Sequence, residues 1–290
     1  MSAKQRDVDD VTGVETTGHE WDGVKELNKP LPRWWVLTFY ATILWAIGYW
    51  VVYPAWPTFT GYSRGVLGYS QRVVVAEDVK AARASQAQFG DKLAATPLDR
   101  IKSDPDLLRF AMAGGVAAFQ ANCAPCHGRG AQGYAGYPNL NDDDWLWGGT
   151  IDDIHKTISV GIRSDQKDAR VTQMPRYGLD KILDERQIND AAEYVLSLSG
   201  KSDDQAAAAR GEKTFADQCT SCHGPDGKGR QDMGAPNLAD NIWLYGSSKQ
   251  AILDSIRTGR GGVMPAWAGR LDPVTLKALA VYVHSLGGGQ

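Results

Sequence analysis

The sequence predicts an all-α chain, with one membrane-spanning helix near the N-terminus followed by two tandem copies of one small helical module. Three observations predict it. Residues 34–53 form an apolar run without a single charge. The pattern C-x-x-C-H occurs twice, at Cys123-Ala124-Pro125-Cys126-His127 and Cys219-Thr220-Ser221-Cys222-His223, and uses all four cysteines. The landmarks around each pattern recur in the same order. The chain has 290 residues and a net charge of −3. That length suits two small domains plus extra segments, and that charge gives no basic footprint for nucleic acid.

The polar segment 1–33 carries seven acids and five bases, and little fixed structure is expected before about Glu20. His19 lies in this tail and reads as a solvated side chain. Pro30 and Pro32 keep the end of the tail extended. Twenty residues at helical rise then span roughly 30 Å, the thickness of a bilayer's hydrocarbon core. Trp34, Trp35, Trp50, Tyr53 and Trp56 gather at the two ends of the run, as interfacial aromatics do. A buried core helix and a signal peptide are the competing readings. The long preceding region and the lack of an A-x-A-like site disfavour the second. Lys25, Lys29 and Arg33 precede the span, which biases the N-terminus to the cytoplasm. A connector, residues 54–105, is expected to hold a helix from about Val74 to Leu93 and to set the height of the two modules above the membrane.

In C-x-x-C-H, two thiols three positions apart can each add to a vinyl group of one haem, and the adjacent imidazole reaches the iron. Four thiolates on a structural zinc, or thioredoxin-like redox pairs, are alternatives. Neither requires His after the second Cys in both copies, and the pairs lie 96 residues apart. The implied cofactors are two covalently bound haem c groups, held through Cys123, Cys126, Cys219 and Cys222, with His127 and His223 on the iron. Haem attachment also points to an extracytoplasmic compartment for this part of the chain.

Each copy runs in one order. Gly115, Phe119 and Cys123 correspond to Gly211, Phe215 and Cys219 at helical spacing. Pro138-Asn139-Leu140 and Pro236-Asn237-Leu238 come next, then Trp145 and Trp243, an amphipathic helix, a Met-Pro pair and a closing helix with Tyr194 or Tyr282. This order resembles the small class I-like cytochrome c fold, over residues 106–200 and 205–290, and each copy is expected to be self-contained. A Met thioether opposite His favours ferrous iron. Met174 and Met264 occupy equivalent positions and are the expected axial ligands, with Met112 and Met233 as rivals and an exchange of ligands between the copies left open. The resemblance implies that the Pro138 and Pro236 carbonyls orient the histidines. Arg163, Arg257 and Arg260 are candidates for the haem propionates, His155 and His284 read as packing or surface residues, and 142–144 as a solvated turn or helix cap. No catalytic constellation appears, so the catalytic set is empty.

The run from Asp22 to Trp35, with its D-G-x-x-E-L-x-x-P-L-P-R-W-W pattern, precedes the span and the two haem modules. Together they resemble the dihaem subunit III of cbb3-type cytochrome c oxidases over nearly the whole chain. That resemblance implies an electron-transfer subunit in a bacterial inner membrane. Its tail would be cytoplasmic and its haem domains periplasmic. Its partners would be a donor cytochrome c, a second haem c subunit and the haem–copper oxidase core, where dioxygen is reduced. A dihaem subunit of a dehydrogenase or quinol-oxidising complex is the alternative. A dihaem peroxidase would need an open iron site, against which two Met-Pro loops argue, and a zinc-stabilised interaction module would lack visible absorbance.

Overall fold

In the computed structural model, which describes residues 7–287, the chain separates at Ala84/Ser85 into two units. The first opens with an antiparallel hairpin, β1 (Thr16–Trp21) and β2 (Val24–Leu27). Asp22 and Gly23 turn the chain with φ of 49° and 84°. Two successive residues in this region make the turn whose twist suits a hairpin, and Asp-Gly is its usual sequence. Lys25 Nζ reaches Asp7 at 3.0 Å, so order begins well before Glu20. The charge of the tail suggests disorder, but the two-residue turn and its cross-strand register override it. Residues 1–6 lie outside the described residues.

Helix α1 (Arg33–Val52) starts behind Pro32, whose fixed φ is compatible with the start of a helix. It is apolar around its whole circumference and none of its residues is buried. Such a helix needs an apolar solvent, and in a chain of this composition that is the bilayer. A short ribbon, β3 (Pro57–Thr58) and β4 (Gly61–Tyr62), comes next, and then α2 (Gln71–Ala95), which runs through the Ala-rich stretch expected to be helical.

The second unit is helical. Its elements are α3 (Leu98–Ile101), α4 (Pro105–Asn122), α5 (Ala124–His127), α6 (Ile151–Val160), α7 (Glu185–Leu198), α8 (Gln205–Gln218), α9 (Thr220–His223), α10 (Lys249–Thr258) and α11 (Pro273–His284). The longer helices are capped as their sequences dictate. Asp104, Thr150, Asp184, Asp204, Ser248 and Asp272 each accept from a backbone N–H of the first turn. Asp184 and Gln187 close a reciprocal capping box.

The helices do not pair copy by copy. Helix α4, from the first copy, packs on α11, from the second, and α8 packs on α7. One core therefore gathers Ile101, Leu107, Phe119 and Ile154 with Leu276, Leu279 and Val281. The other gathers Ile188, Val195, Phe215, Ile252 and Ile256. The expectation of self-contained copies is not met. The physical reason is the link between α7 and α8, residues 199–204. A connection this short favours an antiparallel pair of neighbouring helices. Once α7 has joined α8, α11 is the equivalent helix left for α4, an exchange of like elements.

Glycines fix both pairings. A Cβ on Gly115 would sit 2.4 Å from the carbonyl oxygen of Ala278 on α11, and one on Gly211 would sit 1.9 Å from that of Asp190 on α7. The aromatics expected at these crossings meet as Phe119–Tyr282 and Phe215–Tyr194, with ring centroids 5.3 and 5.0 Å apart. Ion pairs add to the α7–α8 side. Arg210 donates to both carboxylate oxygens of Asp190, at 2.8 and 2.7 Å. The buried Glu193 accepts from Ser202 and pairs with Lys249 at 2.6 Å.

Candidate haem sites

Each C-x-x-C-H forms one helical turn at the end of a longer helix. Cys123 closes α4 and its carbonyl accepts from the N–H groups of Cys126 and His127. Cys219 does the same for Cys222 and His223. The turn brings both cysteines and the histidine of each motif together. Gly128 and Gly224 then leave at φ of 82° and 78°, a conformation open to glycine, and redirect the chain beneath the imidazole.

His127 Nδ1 lies 3.0 Å from the Pro138 carbonyl oxygen, and His223 Nδ1 lies 3.0 Å from that of Pro236. A carbonyl oxygen can only accept, so Nδ1–H donates and the Nε2 lone pair is left for a metal. Burial holds both imidazoles below the ordinary histidine range, against the opposing pull of these carbonyls. Burial therefore favours the neutral ring, the form that ligates. Burial, with a smaller contribution from the second thiol of each motif, pushes Cys123 and Cys219 up to about 11.

Beside His223 opens a cavity of about 360 Å³. Cys219, Cys222, His223, Met174, Ile252 and Ile256 are among its lining residues. The methionine comes from the other copy. Its loop lies on the end of α10, where Gly178 and Leu179 donate to the Arg257 carbonyl and Gly259 leaves no room for a Cβ beside the Met174 oxygen. The reciprocal holds at the first motif. Met264 packs on the core that holds Cys123, and its backbone exchanges two hydrogen bonds of 3.0 Å with Ile162 at the end of α6. Trp267 N–H donates to Ile158. The structure thus brings His223 together with Met174 in one cavity, and packs Met264 on the core that also holds Cys123. Met233 also lines the second cavity, whereas Met112 accepts a contact from Ser285 Oγ at 3.4 Å.

The donor set fits haem. Each site offers two thiols, one neutral oriented imidazole and a thioether loop, within apolar walls. The first cysteines of the two motifs, Cys123 and Cys219, pack on different cores, which does not suit one four-thiolate zinc.

Of the arginine candidates, Arg163 lines the second cavity. Its guanidinium donates to the carbonyl oxygens of Gly262 and Thr172, both at 2.7 Å, and burial lowers its pKa. Arg260 lines the same cavity, sits 5.3 Å over the Tyr245 ring and lies 3.7 Å from Asp254. Arg257 is occupied by Glu185. Sequence reasoning missed Arg170, which occupies in the first copy the place of Arg260. It stacks 5.1 Å over Trp147 and pairs with Asp153. The missed signal was the matching Trp147 and Tyr245, each two residues after the repeated tryptophan, Trp145 or Trp243. His155 is half-buried, with its pKa lowered by burial and by Lys277, and His284 Nδ1 lies 2.6 Å from Lys102 Nζ.

The two sites meet across matching loops. Gly136 N–H donates to Leu244 O at 2.7 Å, and Trp147 covers Gly234 as Tyr245 covers Gly136. Pro138 and Pro236 border one shared cavity of about 350 Å³. Asp144 lines it, and burial, then Asp240 and Asp142, push its carboxyl up to about 6.

A spanning helix followed by paired C-x-x-C-H turns in helical cores defines a membrane protein carrying two cytochrome c domains, and comparison with known proteins agrees. A cytochrome c family model matches residues 112–199, the model for subunit III of cbb3-type cytochrome c oxidase matches 206–283, and that for the N-terminal domain of cytochrome oxidase-cbb3, FixP, matches 13–60. The cbb3-type oxidase subunit FixP of Bradyrhizobium diazoefficiens is 56% identical over 286 residues, covering 97% of this chain and 98% of the relative. FixP of Azorhizobium caulinodans is 54% identical, covering 98% and 96%. CcoP of Cereibacter sphaeroides is 50% identical, covering 95% of both. The chain belongs to the FixP/CcoP family of cbb3-type cytochrome c oxidase subunits, and is an electron-transfer subunit of that oxidase.

Proposed function

We propose that this chain binds two haem c groups with exchanged axial ligands and passes electrons from a donor cytochrome c towards the oxygen-reducing core. Cys123, Cys126 and His127 would hold one haem with Met264 as its sixth ligand. Cys219, Cys222 and His223 would hold the other with Met174. The observation that carries this pairing is the cavity that joins Met174 to Cys219, Cys222 and His223. When bound, haem supplies a one-electron ferric/ferrous couple. The chain's own residues do the rest. Pro138 and Pro236 keep each imidazole facing its pocket. The apolar walls exclude water, and the thioethers favour the reduced state. Arg163 offers a positive charge in the second pocket, hydrogen-bonded to neutral carbonyl oxygens, which suits a haem propionate.

The shared cavity between the proline loops supports passage of electrons between the two sites. The N-terminal tail is taken as cytoplasmic and the haem domains as periplasmic, from the bases before the span and the compartment in which haem attaches. The partners are taken as a second haem c subunit and the haem–copper core. The test is mild detergent extraction through a tag on this chain, with a haem census. Two covalent haems on the chain, copurifying with b-type haem, copper and cyanide-sensitive oxygen consumption, support the proposal. One haem, or none, on the chain refutes the ligand assignment.

A further inference from the structure

The chain between Tyr53 and Glu77 is unlike the rest of the connector. Its only charged residues are Arg64 and Arg72, and it contains no acid. It is also folded back. Val66 and Leu67 donate their N–H groups to the Val51 and Val52 carbonyls at the end of α1, at 2.9 and 3.1 Å. Gly65 fits there with φ of 66° because a Cβ would lie 2.3 Å from Val52 O. Ser63 Oγ accepts from Ala55 and Trp56, and the rings of Tyr69 and Trp56 pack on Tyr53 and Trp50. Residues 66–67 therefore sit level with the last turn of the span.

This arrangement solves a problem specific to lipid. The last carbonyls of a helix have no partners within it, and water that would serve them is scarce at the membrane boundary. Here the folded-back chain serves two of them. Its outer side is apolar and has no cover among the described residues: Phe59, at the tip of the β3–β4 ribbon, is fully exposed, Val66 is 80% exposed, and Leu67, Tyr62 and Val73 are exposed as well. Aromatic and aliphatic groups with arginines and no acids match the boundary between acyl chains and anionic headgroups. Continuity with α1 brings that surface to it.

We propose that residues 56–75 form a collar that lies in the headgroup region of an anionic phospholipid bilayer and fixes the depth of α1. The inference rests on the reading of α1 as a membrane span. The test uses the intact oxidase in nanodiscs containing phosphatidylglycerol. Phe59→Cys and Leu67→Cys variants carry an environment-sensitive fluorophore, and Leu44→Cys and Ala46→Cys, on opposite faces of α1, carry the same label. Quenching of positions 59 and 67 by a spin label near the headgroup, about twofold stronger than by one deep in the acyl chains or by aqueous iodide, supports the collar. Probes at 59 and 67 that iodide quenches freely overturn it, as do probes shielded from every quencher, which would mean that another subunit covers the segment. If 44 and 46 are both untouched by the deep label, the span reading itself fails. If either is quenched while 59 and 67 are in water, only the collar fails.

Discussion

Exchanged helix pairing makes a counter-intuitive claim about which residues protect which haem. Leu279 belongs to the second copy by sequence, yet it is fully buried in the core around the first motif. It lies on α11, which packs against both α4 and α6, so the site has little room to collapse when the side chain is shortened. Leu279→Ala should cost about 3 kcal/mol, mid-range for a buried leucine. With a urea dependence of about 2 kcal/mol per molar, the midpoint should fall by about 1.5 M. Two single-haem backgrounds separate the sites. Cys219→Ser with Cys222→Ser leaves only the first haem as reporter, and Cys123→Ser with Cys126→Ser leaves only the second. Loss of haem absorbance from the full chain in detergent gives each midpoint. Leu279→Ala should lower the midpoint at His127 and leave that at His223. Ile188→Ala, from the first copy but fully buried in the second core, should do the reverse. A Leu279→Ala effect confined to the His223 site would refute the exchange.

Met174→Leu should leave both haems attached and lower the potential of the one on Cys219 and Cys222, with the other unchanged, as read by redox titration in the single-haem backgrounds. Gly211→Ala must push α7 and α8 apart and should destabilise the second site by about 2 kcal/mol in the same urea assay. Arg163→Gln should lower the second haem's potential by about 40 mV, corresponding to about 1 kcal/mol of lost charge pairing in a half-screened site. Asp144 keeps its proton in the folded chain up to about pH 6 but only to its ordinary value when unfolded, so its contribution to stability falls as pH rises between those values. Asp144→Asn should therefore be more stable than the parent above pH 6, by about 1 kcal/mol after solvent screening, and no more stable at pH 4, as thermal melts at the two pH values will read.

The span and the C-x-x-C-H turns were legible because each is local, whereas the proline partners, 11 and 13 residues after their histidines, were implied by the family resemblance. An uncharged run of helical length or five consecutive residues carries its own geometry. The glycine–aromatic spacing was legible too, and Gly115, Phe119, Gly211 and Phe215 do form helix crossings. The partner of each helix could not be read. Two similar copies offer each N-terminal helix two equivalent closing helices, Ile188 to Leu198 and Leu276 to Leu286, and nothing in either amphipathic pattern distinguishes them. The choice is made by the length of the 199–204 link, a property of connectivity. The Asp22-Gly23 hairpin was missed for the opposite reason: composition was weighed over a two-residue signal.

The exchange bears on electron transfer. If the chain closed copy by copy, the two sites could drift apart about the 199–204 link, and transfer between them would vary with that motion. Here the loop bearing Met174 hydrogen-bonds to the end of α10, and that bearing Met264 to the end of α6. In the proposed assignment, each haem pocket is completed by a loop from the copy that would hold the other haem. On the proposed ligand assignment neither copy could move away without opening both pockets, so the exchanged pairing would also fix the separation of the two irons. The matched contacts of Trp147 on Gly234 and Tyr245 on Gly136 act in the same direction, at the face where Pro138 and Pro236 share a cavity. A subunit whose task is to relay electrons gains a constant distance from this arrangement, at the cost that damage to one terminal helix is felt at the distant haem motif.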